Sequence, residues 1–78
     1  MTREELAREF ADRLNMIKND KDVTSRDIER ETGLSHSSIG GWQRGKIPSA
    51  YAVVTLCEYF GVSADWLLGL SDEMGREA

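Results

Sequence analysis

The chain has 78 residues, of which 40% are hydrophobic and 31% are charged. This composition is typical of one small globular domain, and it excludes a disordered chain or an assembly of several domains. The formal net charge is -4, from 10 basic and 14 acidic residues. Taken alone, that charge argues against a nucleic-acid partner, which favours a basic surface.

Cysteine content and targeting signals exclude further classes. The single cysteine, Cys57, cannot form a disulfide within the chain, and there is no C-x-x-C pair to suggest a zinc site. The first residues are charged where a signal peptide would be apolar, and the run from Ala50 to Cys57 is far shorter than a membrane span. We therefore expect a cytoplasmic protein without membrane association, metal or other cofactor.

The first two helices follow from apolar spacing and capping residues. An apolar residue recurs every three or four positions in the first helix, which is predicted to end before the polar cluster at 19–22. The residues of this stripe are Leu6, Phe10, Leu14 and Ile17. Thr24 and Asp27 form an acidic variant of the capping box, so a second helix is predicted from Thr24 until Gly33.

Three more helices complete an all-α, five-helix bundle with no strand. Ser35 is the predicted N-cap of a helix from His36 to Arg44, which buries Ile39 and Trp42. Ser49 and Ser63 are predicted to cap the fourth and fifth helices. The predicted apolar face of the fourth helix consists of Tyr51, Val53, Val54, Cys57 and Phe60. We place the domain at 1–70 and expect residues 71–78 to fray.

The second and third helices, joined at Gly33, form a helix-turn-helix at about 24–44. Several further motifs occur in one order around it: Gly33-Leu34-Ser35, Trp42-Gln43-Arg44-Gly45-Lys46, Pro48-Ser49, and the stretch from Phe60 to Gly69. From about Leu6 to Leu70 the chain strongly resembles the phage repressor and Cro-like (XRE-type) family of helix-turn-helix proteins.

The resemblance implies a DNA-binding fold in which the third helix enters the major groove, a docking geometry for which phage repressors are the standard example. The positions that match base-contacting ones are His36, Ser37 and Gly41, of which Gly41 has no side chain to read a base. The positions expected to meet the DNA backbone are Thr24, Ser25, Arg26, Ser38, Arg44 and Lys46. Two glycines inside the third helix, Gly40 and Gly41, each cost about 1 kcal/mol relative to alanine.

Two positions depart from the family pattern. Glu29 stands where a small residue usually lets the two motif helices approach, so their crossing is expected to be looser, or the aliphatic part of Glu29 lies along its edge. Gln43 replaces a common glutamate, which removes one negative charge next to Arg44. That second change favours DNA binding.

The distribution of charge answers the objection raised by the net charge. Residues 50–78 carry one basic and five acidic residues, whereas 35–49 carry Arg44 and Lys46 and no acid. So few cations imply weak binding by a monomer, and hence a need for dimerisation or for several proteins per site. The apolar residues Trp66, Leu67 and Leu70 form a candidate dimer surface, although core packing explains them almost equally well.

The same residues also allow other interpretations. His36 and its serine neighbours lack an orienting third group, so they do not predict catalysis, and His36 has no partners for a metal. Arg26 and Arg44 could instead pair with Glu29 or Glu31. The function predicted is a sequence-specific transcriptional regulator, most simply a repressor that binds a palindromic operator as a homodimer. No small-molecule ligand is evident in the sequence, and we expect no enzymatic activity. The alternative is a helix-turn-helix used for protein contact, which the net acidity favours.

Overall fold

A computed structural model describes residues 1–75 of the chain. Five helices follow one another within that range, and the only β contact there is an isolated antiparallel bridge between Val62 and Gly75. The helices are α1 (Arg3–Lys21), α2 (Ser25–Thr32), α3 (His36–Gln43), α4 (Ala50–Phe60) and α5 (Ala64–Leu67). The all-α, five-helix prediction is confirmed.

Local capping explains where four of the helices begin. The hydroxyls of Thr24, Ser35, Ser49 and Ser63 each accept a hydrogen bond from a backbone N–H in the following first turn. Thr24 and Asp27 also form the predicted reciprocal capping box. Gly33 ends α2 in the left-handed conformation that glycine adopts without strain.

The end of α1 was predicted too early, because the helix continues through the polar residues Asn19 to Lys21. Asp22 adopts a left-handed conformation (φ 54°), and its N–H donates to the carbonyl oxygens of Asn19 and Lys18. Lys18 and Lys21 lie in the last turn, where their charge favours the negative end of the helix dipole. This cap at Asp22 adds one turn to α1.

The buried face of α4 is rotated from the predicted one. Tyr51 is 71% exposed and Val54 is 55% exposed, although both were assigned to the apolar face. The buried residues are Ala52, Val53, Leu56, Cys57 and Phe60. Because these lie at steps of one, three and four, they form one stripe and leave Tyr51 and Val54 outside it.

One cluster of buried side chains joins all five helices. Its centre is formed by Phe10, Leu14 and Ile17 of α1, against Ile28, Ile39 and Leu56. Phe10, Trp42, Cys57 and Phe60 are buried, as the sequence predicted. Trp66 and Leu67 belong to the same core.

The segment 71–75 packs against the domain, which differs from the fraying expected for 71–78. The guanidinium of Arg13 donates to the carbonyl oxygens of Trp66 and Ser71, each at 3.1 Å, and lies 5.0 Å from the ring centroid of Trp66. Ser63 N–H donates to the carbonyl oxygen of Met74. Long-range contacts of this kind give the segment order that its own sequence does not specify. Residues 76–78 of that prediction lie outside the described part.

Candidate nucleic-acid interface

The turn between α2 and α3 is short and hydrogen-bonded. Gly33 N–H donates to the carbonyl oxygen of Glu29 at 2.8 Å, and Leu34 N–H donates to the hydroxyl of Thr32 at 3.1 Å. Ser35 then caps α3 by accepting from the N–H of Ser38. These bonds fix the two helices in the helix-turn-helix arrangement.

One face of α3 is anchored in the core, and this determines which face is free. Ile39 and Trp42 are buried, and the ring of Trp42 meets that of Phe10 edge to face with centroids 6.3 Å apart. Helical geometry therefore directs Ser37, Gly41 and Arg44 away from the core. We call this the outward face of α3; Ser37 and Arg44 are exposed on it.

Glu29 links α2 to the first residue of α3. Its Oε1 lies 3.0 Å from Nδ1 of His36, and its Oε2 accepts from the backbone N–H of His36 at 3.3 Å. These two hydrogen bonds lower the pKa of Glu29, the side-chain bond having the larger effect. Glu29 therefore connects the motif helices through hydrogen bonds, and it holds the ring of a predicted base-contacting residue.

A polar network joins α1 to both motif helices, and the sequence analysis missed it. The Lys18 ammonium donates to the hydroxyl of Ser25 at 2.7 Å and to Oε1 of Gln43 at 2.9 Å, while Gln43 Nε2 donates to Oδ1 of Asn15 at 2.6 Å. Burial lowers the pKa of Lys18. One feature of the sequence could have indicated this network: Lys18 lies four residues after Leu14, beside the buried stripe of α1.

The beginning of α2 already carries a negative charge. Asp27 accepts from the N–H of Thr24 at 2.9 Å, and this bond is the main cause of the lowered pKa of Asp27. The hydroxyl of Thr24 accepts from Asp27 N–H. Thr24 is thus engaged in its cap, and the hydroxyl of Ser25 accepts from the Lys18 ammonium at 2.7 Å and donates to Oε1 of Gln43 at 3.2 Å.

At the end of α3, the side chains of Arg44 and Lys46 lie next to Gly40 and Gly41. Gly45 N–H donates to the carbonyl oxygen of Trp42, and Lys46 N–H donates to that of Gly41, which together make a Schellman turn with Gly45 left-handed at φ 106°. A Cβ at Gly40 would stand 3.1 Å from Nη1 of Arg44, and one at Gly41 would stand 3.1 Å from Cδ of Lys46. The side chains of Arg44 and Lys46 therefore lie across the glycines.

The acidic residues near this surface have other partners. Glu29 pairs with His36, and Glu31 lies 3.9 Å from Nε of Arg30. Within residues 1–75, no salt bridge involves Arg26, Arg44 or Lys46. No salt bridge joins Arg26 or Arg44 to Glu29 or Glu31 in the described part of the chain, although the charge of Arg26 contributes to the lowered pKa of Glu29.

The candidate dimer surface does not come together as one patch. Trp66 is 3% exposed and Leu67 is fully buried, because both fill the core between α1 and α4, whereas Leu70 is 65% exposed. Of the three predicted residues, only Leu70 is available to a partner. The other large hydrophobic side chains that are exposed in residues 1–75 are Met1, Met16, Tyr51 and Val54.

Comparison with known proteins gives two matches. Residues 11–73 match the family model described as a helix-turn-helix domain. A Bacillus subtilis (strain 168) protein named "Uncharacterized HTH-type transcriptional regulator YobD" is 29% identical over 65 residues, which cover 82% of this chain and 58% of that protein. The chain thus spans less than two thirds of the length of this relative. No solved structure matches significantly.

The described residues show neither a membrane span nor a metal site. No helix between residues 1 and 75 is both long and apolar enough to cross a bilayer. Over the same range, no group of three or more His, Cys, Asp or Glu residues is placed to hold a metal ion.

Proposed function

This chain belongs to the XRE-like helix-turn-helix domain family, and from that membership we propose that it binds double-stranded DNA as a transcriptional regulator. The observation that carries the proposal is the outward face of α3. Its opposite face is fixed in the core through Ile39 and Trp42, while Arg44 and Lys46 present cations without acidic partners among the described residues. A rigid helix with such a face suits the major groove.

The roles of individual residues are part of the proposal. His36 and Ser37, at the beginning of α3, are assigned to base edges, and Ser25, Arg26, Ser38 and Arg44 to the DNA backbone. Thr24 supports this surface chiefly as the cap of α2. Lys18 joins the backbone-contacting set, because its ammonium lies 2.7 Å from the hydroxyl of Ser25 and its partners carry no negative charge.

We further propose that the protein represses transcription and binds a palindromic operator as a homodimer. The few cations on the α3 surface make binding by one copy weak, and two copies on two half-sites add their contacts. Exposed Leu70 is the apolar residue assigned to the contact between copies. The relative from Bacillus subtilis is itself named a transcriptional regulator, which supports the regulatory role.

Selection from a pool of random duplexes tests this function. The expected result is one enriched sequence, bound with an affinity that falls steeply as salt rises. Arg44→Ala should weaken binding and reduce the salt slope by about one, because one phosphate contact is lost. Arg8→Ala, which removes an exposed charge of α1, is the matched control and should leave both unchanged. If the pool yields no enriched sequence at low salt, sequence-specific DNA binding is excluded.

Protein contact is the second candidate function, and a surface groove favours it. Between α2 and α4 lies an open groove of about 420 Å³, where exposed Tyr51 and Val54 stand beside the carboxylates of Glu31 and Glu58. Apolar side chains beside carboxylates suit a basic, amphipathic segment of another protein. If the protein selects no duplex, this groove is the surface to test for binding of another protein.

A further inference from the structure

The turn after α3 determines where the side chain of Lys46 can lie. In a Schellman turn, the side chain two residues after the cap contacts the side chain three residues before the cap. The cap of α3 is Arg44, so the two positions are Lys46 and Gly41. Because Gly41 has no side chain, Cγ, Cδ and Cε of Lys46 take up that space, between 3.1 and 3.8 Å from where a Cβ of Gly41 would stand. Gly41 is consequently buried although it lies on the outward face.

From this arrangement we propose that Lys46 reads a base edge in the major groove in place of the missing side chain at position 41, with guanine as the base it recognises. The proposal rests on the DNA-binding function proposed above. It reassigns Lys46 from a backbone contact to a specificity-determining residue, and it assigns Gly41 the role of making room for it.

The position of Lys46 favours a base over a phosphate. Position 41 is four residues after Ser37 and three before Arg44, so a side chain lying on it stands in the middle of the outward face. Phosphates flank a helix in the groove, whereas base edges face its middle. Guanine presents two acceptors there, O6 and N7, and the Lys46 ammonium is a donor with no acidic partner in residues 1–75.

Gly41 is explained by the same contact. An alanine at this position would place its Cβ 3.1 Å from Cδ of Lys46, which is closer than ordinary packing, so the lysine would shift by a few tenths of an ångström. A glycine inside a helix is unfavourable relative to alanine. Its presence at position 41 is therefore consistent with a need to seat Lys46.

The test uses the duplex selected by the wild-type chain and all single-base-pair variants of it, measured at one salt concentration. Lys46→Met keeps the aliphatic part and removes the charge; Lys21→Met removes an exposed charge at the end of α1 and serves as control. We expect Lys46→Met to lose about tenfold in discrimination at one G·C pair per half-site and to keep the preferences elsewhere. Lys21→Met should keep the whole profile.

The opposite result is equally clear. If Lys46→Met weakens all the duplexes by one common factor, Lys46 contacts phosphate and the inference is overturned, while the proposed function stands. If the wild-type chain enriches no duplex, both fail. Gly41→Ala provides a second measurement, since the shifted lysine should change discrimination at the same G·C pair; a change at a different pair would contradict the inference.

Discussion

A single side chain of α2, Glu29, holds both the backbone and the ring of His36, the first residue of α3. These bonds lower the pKa of Glu29 below its ordinary value. The resulting stabilisation is complete above the pKa of an unfolded glutamate and is lost as the pH falls through the lowered folded value.

Glu29→Gln should accordingly make the acid side of the stability curve less steep, because glutamine does not titrate. The measurement is the free energy of unfolding in urea at several pH values from neutral to acidic. The Glu31→Gln variant is the control, since Glu31 only approaches exposed Arg30. Equal steepness in Glu29→Gln and the wild type would contradict the role of Glu29.

Gln43→Glu tests whether Lys18 is available to DNA. A carboxylate at position 43 would neutralise the Lys18 ammonium, which now has only uncharged partners in the described residues. We expect weaker DNA binding and a salt slope smaller by about one. Met16→Glu introduces the same charge at an exposed position of α1 and should have a smaller effect. An unchanged salt slope in Gln43→Glu would exclude Lys18 from the interface.

Arg13→Lys should destabilise the domain although it keeps the charge. Lysine cannot reproduce the two bonds from Nη1 to Trp66 and Ser71 together with the planar contact over the Trp66 ring. We expect a loss of about 1–2 kcal/mol in unfolding free energy and faster amide exchange in 71–75. Arg8→Lys, at an exposed position, should be neutral. A stable Arg13→Lys variant with protected amides in that segment would refute the role given to Arg13.

Gly69→Ala and Gly33→Ala separate crowding from backbone strain. Both glycines have φ of 83°. A Cβ at Gly69 would stand 2.7 Å from Cβ of Glu9, whereas one at Gly33 meets nothing within 4 Å. Gly33→Ala should cost about 1–2 kcal/mol from strain alone, and Gly69→Ala about 1–3 kcal/mol more because α1 must move. Urea denaturation measures both; equal losses would mean that Glu9 yields without cost.

Leu70→Glu tests the proposed pairing of two copies. Leu70 is exposed, so the change should leave stability within about 0.5 kcal/mol. It should reduce the joint binding of two copies to a palindromic duplex but not binding to a single half-site. Sedimentation with each duplex distinguishes the two, and unchanged stoichiometry and affinity on the palindrome would remove Leu70 from the contact.

The parts of this fold that follow from local chemistry were readable in the sequence. The caps at Thr24, Ser35 and Ser49 and the end of α2 at Gly33 depend on neighbouring residues, and the predicted boundaries are close to the observed ones. The prediction for α4 left out Leu56, which lies at the centre of the observed buried face. Without it, the predicted face was rotated toward Tyr51 and Val54.

Contacts between distant residues were beyond the sequence analysis. Arg13 reaches Trp66 and Ser71 across more than 50 positions, and nothing in its neighbourhood marks it as different from the other arginines of α1. For the candidate site, the sequence indicated Arg44 and Lys46 as the basic residues next to the third helix. That their side chains lie on Gly40 and Gly41 depends on the geometry of the turn.

Added salt should affect DNA binding far more than folding, because most ion pairs in residues 1–75 lie at the surface. Each of the three arginine–carboxylate pairs has at least one partner that is well exposed to solvent, so each adds little to stability and is readily screened. The apolar core carries the fold and does not weaken as ions are added. A salt titration can therefore cover a wide concentration range with the domain intact, and its slope reports the number of DNA phosphates that the protein neutralises, without a contribution from unfolding.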